Sequence, residues 1–229
     1  MRTNHHAGYS SAFTAGSRNE TRCGVTIANR ILCDGTDRDE WARARFSVIG
    51  ASDAKVLSKP ESVDLYLAQK LKRDIFTGNV FSDNGYRFEP MILGWAGYEH
   101  NTALYHAPDE VGFAATPDGI HADGKSGAEV KIKHVLPAKP TKGPTLGEWR
   151  QVAWQFRVFP EFDHIDWLWG DIDKTGDLED LIGDEPRFIR IYPDDPKILE
   201  LQSHLEPIAT DLLSRLRAAL AFERELESA

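Results

Sequence analysis

The chain has 229 residues, of which 41% are hydrophobic, and a formal net charge of −9; it is long enough for one large domain with a sizeable core, and its acidity argues at first against a nucleic-acid partner. Two cysteines, Cys23 and Cys33, are too few for an iron–sulfur cluster or a structural zinc site, and they exclude a disulfide framework. No apolar run is long enough to cross a bilayer and the N-terminus lacks the apolar core of a signal peptide, so the expectation is a soluble protein of a reducing cytoplasm.

Residues 1–22 are polar and poor in large apolar groups, which predicts a disordered tail, with a single domain over residues 23–229. A short helix is expected over residues 24–34, around Val25, Ile27, Ile31 and Leu32. The segment DEWARARFSVIGASDAKVLSK predicts a helix, a break near Gly50 and a second helix from about Ser52. SKPE at residues 58–61 has capping-box form, Ser58 as cap and Glu61 three residues on, and Val63, Leu67, Leu71 and Ile75 then repeat on one helical face. NGYRFEPMILGWAGYEH predicts another helix, with Phe88, Ile92 and Trp95 on one side and Pro90 marking a start or a kink.

VGFAATPDGIHADGKSGAEVKIKHV then reads as a β-hairpin or short meander, with turn chemistry in ADGKSG. Ala128, Val130 and Ile132 alternate with Glu129, Lys131 and Lys133, which predicts one core face and one solvated polar face. TLGEWRQVAWQFRVF is a second capping-box helix, Thr145 with Glu148; Trp149, Val152, Ala153 and Phe156 form its apolar stripe, and Gln151 and Gln155 share another face. HIDWLWGDI and RFIRIY read as strands, separated by an acidic loop over residues 171–186. That loop imitates an EF-hand at Asp171, Asp173 and Gly176 but has Thr175 and Ile182 where further acids are needed. A long helix closes the chain from about Asp195, with Pro207 expected to bend it. The fold class is α/β, a central mixed β-sheet flanked by helices.

The charge is unevenly placed. Glu161 to Asp195 holds twelve acids against three bases, a net of −9 by itself, whereas Gly127 to Pro160 holds six bases against two acids. The basic stretch begins on the hairpin that carries Asp118, Glu129 and Lys131. Taken singly, these residues are unremarkable: E-x-K tripeptides are common, and an aspartate beside glycine suits a turn. Taken together, two carboxylates from neighbouring strands make a hard-oxygen site suited to Mg²⁺, and a lysine beside it can orient or deprotonate a water. Phosphodiester hydrolysis needs those parts. Gly119, Gly124 and Gly127 would let the turn form and leave access for a bulky backbone.

The order Pro117-Asp118, glycine-containing turn, Glu129-x-Lys131 resembles the PD-(D/E)xK nuclease motif. Three further segments are similar to the phage lambda exonuclease family, the YqaJ-like viral recombinases: WARARFSVIGASD at residues 41–53, Glu89 within GYRFEPMI, and Gln151 within WRQVAWQ. The resemblance runs from about residue 41 to about residue 170, and the long C-terminal helix fits it. It implies a restriction-endonuclease-like core and an Mg²⁺-dependent exonuclease, with Mn²⁺ as a substitute, that degrades double-stranded DNA from the 5′ end and exposes a 3′ single strand for recombination by annealing. By the same resemblance Asp118, Glu129 and the carbonyl of Val130 would bind the metal, and Lys131 would position or activate the attacking water. Glu89 would hold water at the metal or assist the ligand shell, Gln151 would orient a site group, and Arg45 and Ser52 would hold a terminal 5′-phosphate. The implied setting is a phage or prophage protein in a bacterial cytoplasm. Its implied partners are DNA ends, a single-strand annealing protein and copies of itself in a ring such as a trimer. A PD-(D/E)xK endonuclease and a non-catalytic DNA-binding or assembly protein with a nuclease fold are the competing readings.

Overall fold

The computed structural model describes residues 27–73, 80–176, 180–183 and 185–228. The expected N-terminal tail, Cys23, Val25 and the helical position Ile75 lie outside the described residues, as does part of the acidic loop.

Of the segment expected to be a helix, the described residues 27–34 do not form one: one turn of 3-10 helix, Ile27–Arg30, leads into strand β1, Ile31–Cys33. A short apolar run cannot by itself distinguish helix from strand. Here β1 finds a partner in β4, Leu104–His106, with which it pairs antiparallel. Arg30 is 1% exposed; its guanidinium donates to the carbonyls of His106 and Val158, each at 2.7 Å, and pairs with Glu161.

Helix α1, Arg38–Phe46, is capped by Asp37, whose carboxylate accepts from the amides of Asp39 and Glu40. Strand β2, Ile49–Gly50, and the one-turn helix α2, Ala51–Ala54, follow, so the break at Gly50 is where the sequence puts it. The capping box at Ser58 and Glu61 does not form. A 3-10 turn, Pro60–Ser62, precedes helix α3, Val63–Leu71, and the Ser58 amide and hydroxyl lie 3.2 Å from the Tyr66 hydroxyl instead. Helix α4, Val80–Ala96, contains Pro90 in its interior. Phe88 and Ile92 are buried, but Trp95 is not: it turns outward, edge-on to Phe188.

The strands form two sheets. Adding β5, Phe113–Ala115, the first has order β1-β4-β5-β2, with β2 and β5 parallel. The second contains β3, Glu99–His100; β6, Gly119–Ile120; β7, Ser126–Val135; β8, His164–Asp173; and β9, Arg187–Ile191, in the order β3-β6-β7-β8-β9. This is the expected central mixed sheet: β7 and β8 run parallel over ten residues each and the other pairings are antiparallel. A parallel pair needs a crossover, here helix α5, Leu146–Val158, with its Thr145–Glu148 capping box intact. One face of the sheet packs on α4 through Phe88, Ile92, Leu93, Val130 and Leu168. The other packs on α5 and on helix α6, Pro196–Glu227, through Trp154, Trp167, Leu205 and Leu212. Pro207 sits inside α6, which continues across it. With both faces covered, the polar side of β7 is not the solvated face expected from alternation; Glu129 is 1% exposed. Asp171 also leaves the expected solvated loop. It is buried in β8, where its carboxylate accepts from the Thr141 amide at 3.0 Å and pairs with Arg187.

Candidate active site

The site lies where β6 stops. Gly119 pairs with Ala128, so continuing the ladder would set Asp118 opposite Glu129 by backbone bonds. Instead the Asp118 carbonyl accepts from the Asn101 amide at 2.9 Å, and its carboxylate Oδ2 takes the Val130 N–H at 2.7 Å. A side chain thus replaces a strand, and the carboxylate is fixed beside β7. A Cβ on Gly119 would come within 2.6 Å of Leu93, and one on Gly127 within 2.6 Å of Phe162. These two glycines admit core side chains rather than a substrate, whereas Gly124, at φ 70°, makes the turn.

Glu129 precedes Val130 on β7. Its carboxylate pairs with the Lys131 ammonium and accepts from the side-chain amides of Gln151 and Gln155, both on α5. An ionised carboxylate has about four acceptor positions, so these three donors leave room for one more. Lys131 also donates to the Val130 carbonyl at 3.2 Å. Burial alone would push the Lys131 ammonium down, but the Glu129 and Asp118 carboxylates outweigh it and hold the group above the ordinary lysine range. Lys131 is therefore a firm cation and hydrogen-bond donor in this arrangement, better suited to orienting a water or a phosphate oxygen than to taking a proton. Burial, then the Glu129 charge, raises the Asp118 carboxyl well above its usual range. Glu89, on α4, is raised by burial too, with His100 opposing at 3.1 Å.

Asp118 and Glu89 share a cavity of about 990 Å³ with Arg45, Lys70 and Thr116. Arg45 stacks over Trp41 at 4.8 Å and donates to the Ser52 hydroxyl. The two residues expected to hold a phosphate are thus in contact, and Arg45 lines the same cavity as the acids. No local pattern marks Lys70. It is nearly buried and pairs with Asp53, whose carboxylate also takes the Gly50 amide at 2.7 Å. Burial lowers the Lys70 pKa, Arg45 adds to that, and Asp53 opposes it. Two cations and one acid leave this corner net positive. Thr116 contributes a buried hydroxyl without a partner. Gln155 was legible only as a polar neighbour one turn from Gln151.

Among the described residues no cluster of three or more His, Cys, Asp or Glu side chains could hold a metal. The hard-oxygen donors present are the second oxygen of Asp118, the remaining acceptor position of Glu129 and the Val130 carbonyl. These are the ligand types a magnesium-sized ion takes together with waters. The residues fit a divalent cation with two protein carboxylates.

No protein-family model and no curated protein matches the chain. Its fold is that of known exonucleases. The alkaline exonuclease of Laribacter hongkongensis is similar over 82% of this chain and 99% of its own, at 20% identity and a TM-score of 0.56. The same enzyme in complex with dAMP gives 19% identity and a TM-score of 0.53 over the same shares. A phage-related exonuclease of Haemophilus somnus is similar over 83% of this chain and 92% of its own, at 11% identity and a TM-score of 0.51. At these identities the likeness establishes the fold alone, a fold shared with exonucleases.

Proposed function

We propose that this protein is an Mg²⁺-dependent exonuclease that hydrolyses double-stranded DNA from 5′-phosphorylated ends and leaves 3′ single strands. The observation that carries the reading is the convergence of Asp118, Glu129 and Lys131 around the Val130 peptide, with Asp118 lining a cavity that Arg45 and Lys70 also line. Asp118, Glu129 and the Val130 carbonyl would hold the ion, which when bound supplies Lewis acidity at the phosphoryl oxygen and lowers the pKa of the attacking water. Lys131, clamped by Glu129 and the Val130 carbonyl, aims its remaining proton at that water or at a phosphate oxygen. Gln151 and Gln155 keep the Glu129 carboxylate from rotating. Glu89, held by His100, faces the same cavity and accepts a hydrogen bond from water there. Arg45, Ser52 and Lys70 receive the terminal phosphate, a dianion matched to their net positive charge. The annealing partner, the ring-shaped assembly and the role in phage-type recombination belong to the same proposal and rest on the family resemblance.

The decisive assay is digestion of linear duplex DNA, with and without a 5′-phosphate, beside a covalently closed circle. The linear 5′-phosphorylated duplex is expected to be consumed and the circle spared; cutting of the circle would make the protein an endonuclease. Activity is expected with Mg²⁺ or Mn²⁺, while Ca²⁺, with its looser coordination, supports binding without cleavage. Undiminished hydrolysis in excess EDTA would rule out the metal.

Arg45→Ala tests the phosphate corner. A charged hydrogen bond that acts in the transition state contributes about ten- to a hundredfold in rate. The variant should slow on phosphorylated ends by that factor and change little on hydroxyl ends. Equal slowing on both would reduce Arg45 to general binding, leaving the metal site untouched.

A further inference from the structure

The cavity is larger than a phosphate and an ion require, and four side chains with a phenyl, phenol or indole ring line it: Trp41, Phe46, Tyr66 and Tyr86. Phe46 is half-buried, and two others are committed to the protein. Trp41 carries the Arg45 guanidinium on its ring and packs on the small core beneath α1. Tyr66 packs against the main core and binds Ser58 through its hydroxyl. Tyr86 is 76% exposed, the most exposed of the large hydrophobic side chains among the described residues, and there it makes no hydrogen bond, ion pair or ring contact. It stands three residues before Glu89 on α4, and side chains at that spacing are neighbours on one helical face. Of the α4 side chains that hold the sheet, Phe88 and Ile92 lie on another face, while Leu93, two turns further along the Tyr86 side, is buried. The Tyr86 ring is exposed rather than packed, and it lines the cavity one turn from an acid of the site.

We infer that Tyr86 is a nucleobase platform: its ring stacks on a base of the strand being hydrolysed, within the first few nucleotides of the end. This rests on the nuclease reading of the same site and adds a substrate contact to it. The chemistry is sequence-tolerant, because every base presents a π-face, which suits an enzyme that must pass over any sequence. Pro90 fits this placement. It has no N–H to give to the Tyr86 carbonyl one turn earlier, so the helix is loosened at the residue that meets the substrate.

The test pairs a change in the protein with a change in the DNA. Wild type, Tyr86→Ala and Tyr86→Phe are assayed on 5′-phosphorylated duplexes with normal bases or with an abasic residue at the first, second or third position from the attacked end. Wild type is expected to lose about tenfold in kcat/KM at one of these positions, equivalent to about 1.4 kcal/mol and within the range of base–aromatic stacking. Tyr86→Ala should be about tenfold slower on normal DNA and insensitive to the abasic position, and Tyr86→Phe should behave as wild type. An abasic penalty that persists undiminished in Tyr86→Ala, or no penalty in an active wild type, overturns the platform while leaving the nuclease intact. A wild type that neither binds nor cleaves linear duplex removes the nuclease reading and the platform with it.

Discussion

Lys131→Ala is expected to reduce DNA hydrolysis by at least a hundred- to a thousandfold, the usual cost of removing one preorganised donor from a charge-stabilising site. Binding of linear duplex in Ca²⁺ should persist. The substitution is not silent for the fold, because Glu129 is 1% exposed and loses the cation beside it; its two glutamine donors remain. Some loss of melting temperature is therefore expected, and Lys131→Met, which keeps the aliphatic stem, limits it. Asp118→Ala should be equally inactive and should lose the response to added Mg²⁺. Initial rates on linear duplex, with circular dichroism on each variant, check this. A folded Lys131→Met within tenfold of wild type would end the assignment of this lysine.

The largest effect on stability is expected at Arg30, far from the chemistry. Its guanidinium joins the entry to β1, the end of β4 at His106, and the last turn of α5 at Val158, and it lies over the Phe159 ring at 5.3 Å. Arg30→Ala would strand two carbonyls and leave Glu161 without its partner. Glu161 is a third exposed and can be solvated, but each carbonyl left buried without its donor costs about 1–3 kcal/mol, so the melting temperature should fall by on the order of 10 °C for a chain of this size. Thermal unfolding of the variant measures this; a fall of about 2 °C or less would mean that water takes the place of the guanidinium.

The legible parts of the sequence were those governed by local rules. The Thr145 capping box, the turn before β7 and the apolar runs of β8, β9 and α6 each follow from neighbours a few residues away, and the structure has them. Asp118, Glu129 and Lys131 were legible because motif spacing along a hairpin places them together. Lys70 was not, since nothing near it distinguishes a lysine that meets Asp53 across the fold from one in solvent. β1 and the failed Ser58 cap missed for the same reason: β4 and Tyr66, which decide them, are distant contacts or compete with a local pattern. The buried state of Glu129 was hidden because alternation along β7 predicts one covered face, and α5 covers the other.

The bond between the Val130 amide and the Asp118 carboxylate gives the site a spectroscopic handle. One amide proton, in place of a ladder bond, records the state of a candidate ligand. A cation drawn to Asp118 withdraws electron density from the oxygen that the Val130 N–H uses, or turns it away. Titrating Mg²⁺ into ¹⁵N-labelled protein should therefore move the Val130 resonance ahead of those deeper in β8, and its hydrogen-exchange rate should track occupancy without any DNA present.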